Sequence, residues 1–144
     1  MVSFFGKKDK KIKAFGDPIP IEWARSESGR FYNLIAVKED ELNIKDMGGV
    51  FIIWYHGVSS STVYVGAATN LIDTIKVIKD NPQIIAFHEK GDLGITWSTI
   101  SEKYRYRILA YLRAVMNPVI PTLPELEESA EPAEPFAVTL PYNV

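Results

Sequence analysis

Two short apolar runs, Gly49-Val50-Phe51-Ile52-Ile53 and Thr62-Val63-Tyr64-Val65-Gly66, flank the polar stretch Gly57-Val58-Ser59-Ser60-Ser61, and no other feature limits the fold so tightly. β-Branched and aromatic residues suit a pleated sheet surface, and the stretch between them reads as the turn of an antiparallel hairpin. Downstream, Thr69 or Asn70 can cap a helix whose Leu71, Ile72, Ile75 and Ile78 recur at helical spacing before Asn81-Pro82 ends it. Residues 84–87 and 94–100 read as strands joined by the turn Glu89-Lys90-Gly91-Asp92. Ser101 then caps a longer helix with Glu102 in its first turn. Tyr104, Ile108, Leu109, Leu112, Val115 and Met116 form its apolar stripe, and Asn117-Pro118 stops it. Upstream, residues 18–23 and 31–37 have strand composition, and residues 39–46 fit one polar helical turn before Gly48-Gly49.

With 144 residues, 47% of them hydrophobic and 24% charged, the chain fits one globular domain that buries most of its apolar surface. No apolar run approaches the ~20 residues of a spanning helix, and the first residues do not read as a signal peptide. There is no cysteine, which excludes disulfides and thiolate metal sites and favours a cytoplasmic setting. The net charge of −2 conceals an asymmetry. Residues 1–30 hold seven basic and four acidic groups, residues 31–116 nine of each, and residues 117–144 five glutamates and no base.

That asymmetry divides the chain into a basic N-terminus (1–16), an α/β domain (17–121) and a Pro/Glu-rich tail with an apolar end (122–144). Lys7, Lys8, Lys10, Lys11 and Lys13 read as a solvated terminus or, with Phe4 and Phe5, as a weak anchor on an anionic membrane surface. In the tail, Phe136, Val138, Leu140 and Tyr142 return to apolar character after the acidic run. They are candidates for binding a protein partner or for packing back on their own domain. In the docking reading, truncation after Pro124 leaves a folded domain that has lost its partner. Trp23, Phe31, Tyr32, Trp54, Tyr55 and Trp97 could likewise feed a core or an interface.

The order hairpin, helix, strand, helix and proline exit resembles the GIY-YIG nuclease family over residues 48–121. Gly49-Val50-Phe51 is similar to its first motif and Tyr64-Val65-Gly66 to its second. Ala67-Ala68-Thr69-Asn70-Leu71, Trp97-Ser98-Thr99 and Asn117-Pro118-Val119-Ile120-Pro121 resemble segments that follow in the family. The resemblance implies an α+β fold: a small, mainly antiparallel three-stranded sheet flanked by helices, here with extra N-terminal strands and an extended C-terminal tail. It also implies metal-assisted phosphodiester hydrolysis, in which a tyrosine helps activate water, an arginine steadies the phosphate and a glutamate holds the ion.

Carried onto this chain, those roles largely disappear. The first tyrosine falls on Phe51, the second on Tyr64, the arginine on Thr74 and the glutamate on Leu109; residues 103–124 contain no acid at all. Glu102 fits a helix cap, Asp73 a helix surface and Asp92 a turn, and His56 and His88 fit turn and strand ends, so neither a metal site nor a cofactor is expected. Lys103, Arg105, Arg107 and Arg113 on the long helix are candidates for nucleic-acid contact, but at 100° per residue they spread around the helix. A sequence pI near 5.7 weakens that reading further. The expectation is a non-catalytic GIY-YIG-like domain serving as an interaction module or small structural subunit. The alternatives are a nucleic-acid-binding protein without cleavage activity and a divergent metal-dependent endonuclease.

Overall fold

A computed structural model describes residues 15–127 and 132–142. The described residues form an α+β fold, with one four-stranded antiparallel sheet and three α-helices. The strands are β1 (Tyr32–Asn33), β2 (Gly49–Gly57), β3 (Ser60–Ala68) and β4 (Gly91–Thr99), in the order β1-β4-β2-β3. The helices are α1 (Leu71–Lys79), α2 (Pro82–Ile85) and α3 (Glu102–Met116).

The expected hairpin forms and is longer than the apolar runs alone indicate. Strands β2 and β3 extend to Gly57 and Ser60, leaving Val58 and Ser59 as the loop in place of the five-residue turn. The register pairs Phe51 with Gly66 and Ile53 with Tyr64, and shifts beyond Ile53, where Val63 is the extra residue. The alternation of strand side chains then builds two cores. Phe51, Ile53, Tyr64, Leu93, Ile95 and Trp97 share one face with Leu71, Ile75 and Ile78 of α1, Ile84 of α2 and the loop residues Leu34, Val37 and Ile44. Val50, Ile52 and Val65 share the other with Ile108, Leu109, Tyr111, Leu112, Val115 and Met116 of α3.

Several local expectations change. Residues 84–87 are helical rather than extended, because the Asn81 side chain accepts the N–H groups of Gln83 and Ile84 while Pro82 sits in the first turn. Ile84 is fully buried there. The strand expected at residues 31–37 shrinks to Tyr32–Asn33, since Asn33 Oδ1 accepts the N–H groups of Ile35 and Ala36 and turns the chain. Residues 18–23 supply only one parallel bridge, Ile19 with Val138, in a segment where Pro18 and Pro20 lack backbone donors. Glu39–Glu41 is a short 3-10 turn, as the polar composition suggests.

Both long helices start and stop close to the expected residues, but their caps differ. Asn70 Oδ1 accepts the Asp73 N–H at 3.1 Å and caps α1. Ser101 occupies the corresponding position of α3 without a side-chain bond. Asn117 ends α3 in the left-handed conformation (φ 50°), which asparagine tolerates better than most residues. Beyond it the chain turns back along the outer edge of β3. Val119 and Ile120 N–H groups bond the Thr62 and Val63 carbonyls at 3.0 and 2.8 Å, and Leu123 is buried on the α1 face.

Phe136, Val138, Leu140 and Tyr142 lie against the domain rather than away from it. Val138 is fully buried in the α3 core, and the other three pack on its margin. The Ile19 N–H bonds the Ala137 carbonyl and the Thr139 N–H bonds the Ile19 carbonyl, both at 3.0 Å. Trp23 Nε1 donates to the Thr139 carbonyl, and Tyr142 joins Phe31 and Trp54 in an aromatic cluster. The side chains nominated for docking are thus occupied within the chain, since leaving them in water would forfeit their apolar burial. Lys7, Lys8, Lys10, Lys11, Lys13, Phe4 and Phe5 lie outside the described residues. No described helix is long and apolar enough to cross a membrane.

Candidate functional site

Phe51 and Tyr64 sit side by side, ring centroids 5.8 Å apart, because their strand positions face the same core. Gly66 makes room for both: a β-carbon there would come within 2.5 Å of the Phe51 ring. The Tyr64 hydroxyl is not free. It donates to Glu127 Oε2 at 3.0 Å and accepts from Arg113 Nη2 at 3.4 Å. Arg113 Nη1 pairs with Glu127 Oε1 at 3.1 Å, and Arg113 Nε donates to the Val65 carbonyl at 3.1 Å. The Leu123 N–H completes the set by donating to Glu127 Oε2.

This network joins β3, α3 and the segment after α3, and it sets the acidity of its members. Burial, then the neighbouring Glu127 carboxylate, hold the Tyr64 phenol far above its ordinary pKa. For Glu127, burial acts to raise the pKa. The bonds from Leu123, Arg113 and Tyr64 outweigh it and keep the carboxyl below its usual value. Tyr64 is therefore a neutral hydrogen-bonding group at physiological pH, tied into a structural clasp.

The remaining positions implied by the nuclease resemblance do not join Tyr64. Leu109 is buried in the α3 core, on the opposite face of the sheet. Thr74 lies on α1 at the rim of a separate cleft. Asp73 is exposed in the first turn of α1 and Glu102 in that of α3, while Asp92 pairs across the sheet with His56. His56 Nδ1 is 2.8 Å from Ser60 Oγ, and His88 lies in the short helix Ala86–Lys90. Among the described residues, no three histidine, aspartate or glutamate side chains converge to hold a metal ion.

The cations of α3 are also distributed. Arg105 is buried, with Nη2 donating to the Ile100 carbonyl and Nε unpaired, in the notch that Gly48 leaves. Arg107 donates to the Glu134 carbonyl and lies over Phe136, and Arg113 is held by Glu127. Of the four, Lys103 alone is exposed, its ammonium 5.4 Å from the Tyr104 ring. Of the four candidates for nucleic-acid contact, Lys103 is thereby the one exposed cation. Three arginines are taken up by the fold itself, where their stems also cover apolar surface.

The cleft that contains Thr74 has a volume of about 250 Å³ and lies beside the end of β3. Ala67, Ala68 and Thr69 form its floor, Asp73, Thr74 and Val77 of α1 one wall, and Tyr106 of α3 with Glu125 and Leu126 the rest. Asn81 Nδ2 donates to Glu125 Oε1 at 3.1 Å and fixes that carboxylate at the rim. By sequence, Glu125 and Glu127 fall in the Pro/Glu-rich tail. The available signal was Leu123 and Leu126, two apolar residues interleaved with those acids, which dock the segment and turn its carboxylates inward. Comparison with family models, with curated proteins and with solved structures finds no match.

Proposed function

We propose that this chain is a non-catalytic binding module or small structural subunit, and that it presents the cleft between α1, the end of β3 and Pro124–Leu126 to a protein partner. The observation that carries the reading is how the chemistry-bearing groups are used. Tyr64, Arg113 and Glu127 satisfy one another in a closed network, while the nearby concave surface sets hydroxyls and carboxylates of Thr69, Asp73, Thr74 and Glu125 beside the apolar Ala67, Ala68, Val77 and Leu126. The phenol of Tyr64 is poorly placed to activate water when its proton is donated to a carboxylate and burial disfavours its ionisation.

The test is quantitative affinity capture from the native cell with the full chain and with Val77→Arg, which fills the cleft from an exposed helix position. A partner recovered by the parent and by Glu102→Gln, but lost with Val77→Arg, is the expected result. Equal recovery with Val77→Arg would remove the cleft from the interaction. Magnesium-dependent nicking of plasmid or branched DNA that disappears in Tyr64→Phe would replace the whole reading with an enzymatic one.

A further inference from the structure

Resting on the reading of this cleft as a binding surface, we propose that its occupant is a short extended peptide that adds to the edge of β3 at Ala67 and sets a lysine or arginine against Asp73 and Glu125. The first support comes from the strand's hydrogen-bonding pattern. Backbone groups of alternate residues point to opposite sides of a strand. The Val65 carbonyl points outward, since it accepts Arg113 Nε, so the N–H and C=O of Ala67 point outward too. On the inner side, Gly66 and Ala68 are paired with Phe51 and Gly49 of β2.

Most of this edge is already covered. Val119 and Ile120 bond Thr62 and Val63, and Arg113 takes Val65. Among the described residues, no hydrogen bond reaches the outward groups of Ala67, and this is where the cleft lies. Open strand edges are templates for another chain, and proteins normally cover or blunt them. Here the opening is one residue long and walled by helices, a geometry that admits a single strand in a defined register.

The second support is charge complementarity. Asp73 and Glu125 contribute carboxylates to the lining, Thr69 and Thr74 hydroxyls, and among the described residues no lysine, arginine or histidine lines the cleft. Asn81 satisfies only one oxygen of Glu125. An ammonium or guanidinium head would meet both acids while its stem lay along Val77 and Leu126. An acidic peptide would be repelled from the same surface.

The experiment titrates the isotopically labelled full chain with an eight-residue peptide of alternating lysine and threonine, alongside a second peptide with glutamate in place of lysine. Saturable binding of the lysine peptide is expected, with the largest amide shifts at Ala67, Thr69 and Thr74. Asp73→Asn combined with Glu125→Gln, which retains an acceptor for Asn81, should weaken it by about tenfold, the scale of one lost charge-assisted contact. Equal binding by the glutamate peptide, undiminished binding by the double variant, or shifts confined to another surface would overturn the proposal. If the lysine peptide does not bind while Val77→Arg still releases the cellular partner, this inference falls and the binding-module reading stands. If Val77→Arg releases nothing, the binding reading of the cleft falls with it.

Discussion

On one face of the sheet the cover consists mainly of sequence neighbours, α1 and α2 directly after the hairpin and the loop residues Leu34, Val37 and Ile44 before it, with Leu123 the distant addition. On the other face a single helix, α3, is completed by the two ends of the described chain. There Phe15 meets Tyr111 edge-on at 5.4 Å, Ile19 bridges Val138, and Phe136 lies against Tyr104 at 5.3 Å. The first face is built mainly from contacts of short loop length, whereas the second needs residues more than a hundred positions apart to meet. Closing a long loop costs entropy that local contacts do not incur, so the second face depends more heavily on each segment that seals it.

The largest expected effect follows from removing one of those segments. Deletion of residues 132–144 withdraws Ala137 and Val138 from the α3 core and strips Phe136, Leu140 and Tyr142 from its margin. At about 1.5–3 kcal/mol for each fully buried large side chain, the loss is on the order of 5 kcal/mol. That is comparable with the total stability of a typical domain, about 5–15 kcal/mol. Truncation after Pro124, expected from sequence to leave a folded domain, should therefore unfold it, because it also removes Glu127. Native-state hydrogen exchange sharpens the comparison: deletion of 132–144 should accelerate exchange in α3 far more than in α1. Equal acceleration in both helices would mean that the two faces form one cooperative unit.

A smaller effect is expected at the clasp linking the two faces. Arg113 and Glu127 are each 23% exposed, so solvent screens their pair only in part. Glu127→Gln should cost roughly 1.5–3 kcal/mol in urea unfolding, the range for hydrogen bonds to a charged group. The carboxyl pKa is lower in the folded chain than its ordinary value of 4.5, so the folded state binds that proton less tightly than the unfolded state. Its stabilisation is present above about pH 4.5 and is lost as pH falls through the folded value. The gap between parent and variant should hold steady from pH 5 to 8 and close below 4.5. A gap that widened in acid would assign the stabilisation to other groups.

Helix capping provides the smallest contrast between the layers. Asn70→Ala removes a side-chain bond to the Asp73 N–H and should destabilise by about 1 kcal/mol, whereas Ser101→Ala removes no cap bond and should be nearly neutral. Thermal unfolding of the two variants under identical conditions tests this. Equal losses would show that Ser101 contributes through an interaction other than capping.

Much of the fold was legible in the residues because the signals were local. The hairpin, α1 and α3 each carry their own periodicity and stop signals, and Asn117 marks the end of α3 through its tolerance of the left-handed conformation. The misreadings have local causes as well. Ile84, Ile85 and Phe87 look like a strand by composition, yet Asn81-Pro82 starts a helix there. Asn33 folds its side chain onto the backbone and cuts β1 to two residues.

The site was less legible, since it is assembled from distant residues. Tyr64 stood out by resemblance, but neither Glu127 nor Arg113 could be assigned to it, as they lie 63 and 49 positions away along the chain. The sequence by itself determined the alternating strands, the helical stripes and the absence of an acid from residues 103–124, where the resemblance expects one. Which face each side chain joins, which cations of α3 are taken up by the fold and where an edge of β3 stays open were decided only by tertiary packing. Strand and helix periodicities are properties of short windows, whereas a hydrogen bond between side chains exists only after the intervening chain has folded.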